Sequence, residues 1–163
     1  MQQGLISTVL VVVCAFTLSA AASAQGTSLA QASPPATGLV KYEIRDHAIP
    51  ASLTGQPGDP QKGRQVVINR QLGNCLACHE ITALKNEPFH GNTGPSLDGV
   101  AGRLKEGELR LRLVDATKVN PDTMMPSFYR IEGLNRVLPR FQGKPVLTAE
   151  QIEDVVAFLK TLK

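Results

Sequence analysis

The chain has 163 residues, 17 basic and 14 acidic side chains and a formal net charge of +3. No charged residue precedes Lys41, so residues 41–163 carry charge at about a quarter of positions, the fraction of one ordinary soluble domain. Eleven prolines, 14 glycines, no tryptophan and 4% aromatics exclude a large aromatic core, and the lack of a basic cluster with interleaved aromatics argues against nucleic-acid binding.

Leu5 to Leu18 is mostly apolar and runs into Ala22-Ser23-Ala24, the small-x-small pattern of a signal-peptidase site, so residues 1–24 read as an export signal cut after Ala24. The competing reading is a retained anchor, because the apolar run approaches the roughly 20 residues that span a bilayer and Met1-Gln2-Gln3-Gly4 has no Lys or Arg. Small residues at its end and the absence of a basic flank favour cleavage and no membrane attachment afterwards. Cys14 leaves with the signal, since Val13 is not the small residue that a lipoprotein site requires.

Residues 25–57 form an extension rich in Pro, Gly, Ser and Thr, with one short strand expected within Leu39–Ile44. A domain over residues 58–163 follows. Asp59 as N-cap and Pro60 at the first helical position begin a helix that runs to Leu72 and stops at Gly73.

Next comes Cys75-Leu76-Ala77-Cys78-His79, the pattern for covalent haem c attachment. Two thiols one helical turn apart can each add to a vinyl group on one macrocycle edge, and the adjacent imidazole then turns under the ring to bind iron. Zinc would need His47 or His90 as a fourth ligand, at spacings unlike a finger or ribbon. A thioredoxin-like pair would need a βαβ setting, and a plain disulfide gives the histidine no purpose.

Leu109-Arg110-Leu111-Arg112-Leu113 alternates like a strand, yet Leu109, Leu113 and Val114 also share a helix face. Glu106 and Glu108 suit a helix N-terminus and Asn120-Pro121 a stop, so the segment is expected to be helical. The last helix begins at the capping box Thr148-Ala149-Glu150-Gln151 and buries Ile152, Val155, Val156, Leu159 and Leu162. Candidates for a second axial ligand to iron are Met124, Met125, His47 and His90. Pro126 forces extended geometry on the residue before it, which holds Met125 in a stiff loop and turns Met124 the other way, so Met125 leads.

Asp59-Pro60 with Gly63, the Cys75–His79 motif, Gly94-Pro95-Ser96-Leu97-Asp98-Gly99, a Met-Pro segment and the Val156-Ala157-Phe158-Leu159 helix resemble the small class I cytochromes c. His47-Ala48-Ile49-Pro50, Ser52-Leu53-Thr54-Gly55, Asn120 to Tyr129 and Gln142 to Thr148 narrow the resemblance to the SoxX family, the small monohaem subunits of SoxAX cytochromes. It implies an all-α class I cytochrome c fold around one covalently attached haem c, with His79 and the methionine directly before proline, here Met125, on the iron. It also implies that the Pro95 carbonyl accepts from the second ring nitrogen of His79 and that Arg103 pairs a haem propionate.

The implied setting is the periplasm, with the larger haem subunit SoxA as partner, the carrier SoxYZ reached through that complex, and a downstream cytochrome. No catalytic site is expected on this chain itself. A free diffusible electron carrier is the alternative, and a ligand-binding enzyme with open iron a third. A buried porphyrin accounts for the scarcity of aromatics, with Val66, Val67, Leu97, Phe128, Ile152, Val155 and Leu159 packed around it. His47 and His90 are expected to be loop residues.

Overall fold

A computed structural model describes residues 39–163; the expected export signal and the first part of the extension lie outside them. The described residues contain helices α1 (Pro60–Ile68), α2 (Val100–Arg103), α3 (Glu106–Asp115) and α4 (Ala149–Leu159). Between them lie 3-10 turns at Cys75–Ala77, Thr82–Leu84, Ala116–Lys118 and Pro139–Phe141.

The N-terminus of α1 forms as its residues demand. Asp59 accepts hydrogen bonds from the N–H groups of Gln61 (2.8 Å) and Lys62 (3.2 Å), and Pro60 stands where no intrahelical donor is needed. The helix stops at Ile68, a turn before the expected Leu72. Asn69 ends it: its side chain accepts from Gln71 N–H at 2.8 Å and its carbonyl from Leu72 and Asn74 N–H, a local set of bonds that outcompetes another helical turn. At the other end of the chain the expected capping box is present, with Gln151 N–H on Thr148 Oγ1 and Thr148 N–H on Gln151 Oε1.

α1 and α4 cross in backbone contact. A Cβ at Gly63 would lie 1.9 Å from the Asp154 carbonyl oxygen, so only glycine permits the crossing. Asp154 Oδ1 also accepts the Asp59 N–H at 2.7 Å and ties the start of α1 to α4. Val66, Val67, Leu111, Val114, Phe128, Ile152, Val155 and Leu159 are buried in one core, and Leu97 packs half-buried against it.

The Leu39–Ile44 stretch forms no strand. The pairing present is an isolated bridge between Arg45 and Ala48, closed by Asp46 and His47 at positive φ, and among the described residues no second strand lies beside it to extend the ladder. The end of the expected extension is part of the body of the domain. Ile49 and Leu53 are buried in the core, and Ile49 N–H donates to the Gly107 carbonyl at 2.9 Å.

Arg110 explains that attachment. It lies on α3, which is helical as expected, and is fully buried beside Glu153 of α4, which is 3% exposed. Its Nε and Nη2 donate to the two Glu153 oxygens and its Nη1 to the Ile49 carbonyl, all at 2.8 Å. Nη2 also reaches Glu106, and Glu153 Oε1 accepts the Leu53 N–H at 2.8 Å. A bidentate pair of this kind is tolerated in a core only because the remaining lone pairs and protons are satisfied. Replacing Arg110 by Met strands Glu153 and is expected to cost about 3–5 kcal/mol in urea unfolding. Arg110→Met with Glu153→Leu is expected to recover most of that loss, and hydrogen exchange at Leu53 N–H to accelerate in both.

Candidate haem attachment site

The Cys75–His79 motif begins on the 3-10 turn Cys75–Ala77, which follows Asn74, whose left-handed backbone (φ 48°) turns the chain sharply into it. Ala77, Cys78 and His79 N–H groups bond back to the carbonyls of Asn74 and Cys75 at 2.9–3.1 Å, so the turn is locally closed. Cys75 and Cys78 are not joined to each other in a disulfide. Loss of water around Cys75 pushes its thiol up.

The 90–98 loop packs against this turn. Gly91 N–H donates to the Leu76 carbonyl at 2.7 Å, Gly94 N–H to the Cys78 carbonyl at 2.8 Å and Leu97 N–H to the Glu80 carbonyl at 3.0 Å. His79 Nδ1 lies 2.7 Å from the Pro95 carbonyl, which can only accept, so Nδ1 carries the proton and Nε2 is the nitrogen left for a metal. Gly94 makes room for the ring: a Cβ there would fall 2.4 Å from Cε1 and 2.6 Å from Nδ1 of His79. Two cysteines that do not pair with each other, beside an imidazole oriented through Nδ1, are the donor set covalent haem requires.

Arg103 donates to the carbonyls of Asp98 and Ser96, the latter at 2.9 Å, and thereby braces the loop that carries Pro95. Asp98 accepts from the Thr82 hydroxyl and the Thr82 N–H, bonds that hold its carboxyl below the usual range. His90 serves the architecture of the loop. Its Nδ1 accepts from Ile81 N–H at 3.3 Å and its Nε2 donates to the Leu84 carbonyl at 3.1 Å, closing the 81–84 turn. His47 is exposed in the Arg45–Ala48 turn.

Met125 lies on a separate loop between α3 and α4, half-buried and packed against the core, whereas its neighbour Met124 is 82% exposed. The opposite orientation is the one that Pro126 predicts. Asp115, the last residue of α3, is 1% exposed and accepts from the Ser127 hydroxyl beyond Met125 at 2.7 Å. Burial alone would raise its carboxyl, but bonds from Thr117 and Ser127 and the Arg130 charge outweigh that and hold it below the ordinary aspartate value. Neither Asp115 nor the role of His90 was expected from sequence. An acidic residue at a helix C-terminus opposes the macrodipole, and that anomaly was the available signal for Asp115.

The cytochrome c family model matches residues 60–163. The chain therefore belongs to the cytochrome c family of electron-transfer proteins, whose members carry covalently bound haem c, and its helical architecture is the class I fold. A search of curated proteins gave no match. Among solved structures, the chain is similar to the crystal structure of SoxXA from P. pantotrophus, at 43% identity and a TM-score of 0.70, over 75% of this chain and 94% of that one. That relationship places it with the SoxX cytochromes.

Gly94→Ala is expected to displace the His79 ring and to cost the haem-loaded protein about 1–3 kcal/mol in urea unfolding. Gly102→Ala, where the backbone is helical and a Cβ meets nothing within 4 Å, is expected to keep stability or raise it by up to about 1 kcal/mol. Because Asp115 titrates lower folded than unfolded, its contribution is present above the unfolded value of about 3.9 and disappears as pH falls through the folded one. Stability measured from pH 7 downward is expected to fall less steeply in the acid range for Asp115→Asn than for the wild type.

Proposed function

We propose that this chain is the electron-accepting subunit of a periplasmic SoxAX-type cytochrome in thiosulfate oxidation. The observation that carries the reading is the 43% identity to the SoxXA structure over 94% of that chain. Supporting it are Cys75 and Cys78, which form no disulfide, the oriented His79 and the core-facing Met125. The chain then consists of an export signal (1–24), an extension (25–57) whose last part, Ile49 to Leu53, joins the core, and a haem domain (58–163). The export signal accounts for the periplasm, and among the described residues no helix is long and apolar enough to cross a membrane.

Haem c, one per chain, supplies a one-electron iron couple when bound, at a potential that a thioether ligand raises. Cys75 and Cys78 would hold it, His79 and Met125 would ligate it, Pro95 would orient His79, and Arg103 would meet a propionate with the donors it does not use on the 96–98 loop. The partner subunit, SoxA in this reading, would join the outer sulfur of thiosulfate to a carrier cysteine on SoxYZ. Formation of that S–S bond breaks the cysteine S–H bond, releases one proton and delivers two electrons. This chain takes the electrons one at a time and passes them to a downstream cytochrome, so it needs no substrate site of its own.

The test is isolation of the native protein from periplasm. Copurification with a larger haem protein as a complex of one copy each, with this chain reduced when thiosulfate and the carrier are added, is the expected result. A stable monomer that no second haem protein accompanies would make it a free diffusible carrier instead. Rapid carbon monoxide binding by the isolated chain would contradict a closed, six-coordinate site.

A further inference from the structure

The loop that carries Met125 is fastened to the last turn of α3. Three successive residues beyond Pro126 bond to it: Ser127 Oγ donates to Asp115 Oδ1 at 2.7 Å, Phe128 N–H to the Leu113 carbonyl at 3.0 Å and Tyr129 N–H to the Val114 carbonyl at 3.3 Å. The two backbone bonds occupy carbonyls that every helix end leaves without intrahelical partners. The carboxylate is a different matter. At a helix C-terminus and out of water it costs stability twice, once against the dipole and once through desolvation, so α3 by itself gives no reason for it.

Its partners do. The same Oδ1 accepts from the Thr117 hydroxyl at 2.6 Å and the Thr117 N–H at 3.2 Å, while Arg130 Nη1 reaches Oδ2 at 3.3 Å. Thr117 precedes Met125, and Ser127 and Arg130 follow it. The Thr117 bonds make Asp115 the N-cap of the 116–118 turn from which the loop departs, and the Ser127 and Arg130 bonds meet the loop on its return, so one carboxylate ties both ends. Within that loop, Met125 N–H donates to Thr123 Oγ1 at 3.1 Å and Asp122 N–H to Asn120 Oδ1 at 3.1 Å, so the loop has local order of its own and is set in place at its base.

We propose that Asp115 is the positioning residue for Met125: by clamping Thr117 and Ser127 to one point it holds the half-buried thioether in ligating position. This rests on the reading of Met125 as the second axial ligand. The bonds of Asp115 go to Thr117, Ser127 and Arg130 and none to Met125, so it acts only through the loop.

The experiment uses the full haem-loaded chain in the ferric state, as wild type and as Asp115→Asn, Ser127→Ala and Met125→Leu. The readouts are the sulfur-to-iron charge-transfer band, the reduction potential, cyanide affinity and thermal unfolding. Loss of one hydrogen bond to a buried charge is expected to let cyanide displace the thioether at roughly tenfold or more lower concentration in Asp115→Asn and Ser127→Ala. Both should also show a weakened band and a lowered potential. If both variants keep the wild-type band, potential and cyanide affinity, the proposal is wrong, even where their unfolding temperature drops. If Asp115→Asn does not fold, Ser127→Ala, which removes one hydroxyl, decides alone. A band that survives Met125→Leu would overturn the ligand reading itself and the proposal with it.

Discussion

The arrangement depends on one constraint, that an imidazole next to two thiols be held still by a single hydrogen bond. His79 Nδ1 to the Pro95 carbonyl, at 2.7 Å, sets the ring's tautomer and direction. The surrounding design keeps that acceptor in place. Gly94 removes the side chain that would strike the ring, Gly94 N–H anchors the loop on Cys78, and Arg103 braces the carbonyls of Ser96 and Asp98 beyond Pro95. A ligand tuned by its outer partner is only as well placed as that partner, and here the partner's loop is bonded to the same turn that presents the ligand.

A second level of organisation builds the frame that carries the turn. Through Gly63 the α1 backbone lies directly on α4, and Arg110 and Glu153 join α3, α4 and the 49–53 segment into one unit. Lys160 extends the network by pairing with Glu106, whose carboxyl is lowered mainly by that bond. The result is a helical frame with two loops hung from it, one carrying His79 and Pro95 and the other carrying Met125. Residues 49–53 are structural members of that frame, which changes the meaning of the extension: its last part completes the core.

Much of this was legible in the residues. The haem motif, the Asp59 cap, the Thr148–Gln151 capping box and the split orientation of Met124 and Met125 all follow from local rules, because each involves residues within a few positions of one another. What was not legible depends on distant partners. Arg110 reads as a polar position in an alternating run until Glu153, 43 residues away, appears beside it. The early end of α1 turns on Asn69 choosing Gln71 over the helix, a competition of bonds of similar strength. The strand expected within Leu39–Ile44 failed because a strand needs a neighbour, and strand propensity says nothing about whether one exists.

The most direct measurement is the mass and absorption of the tryptic peptide between Arg70 and Lys85. Residues 71–85 should appear as the peptide plus one haem, absorbing in the visible and with neither Cys75 nor Cys78 open to alkylation. A colourless peptide of unmodified mass, with both cysteines alkylated, would contradict the account at its base.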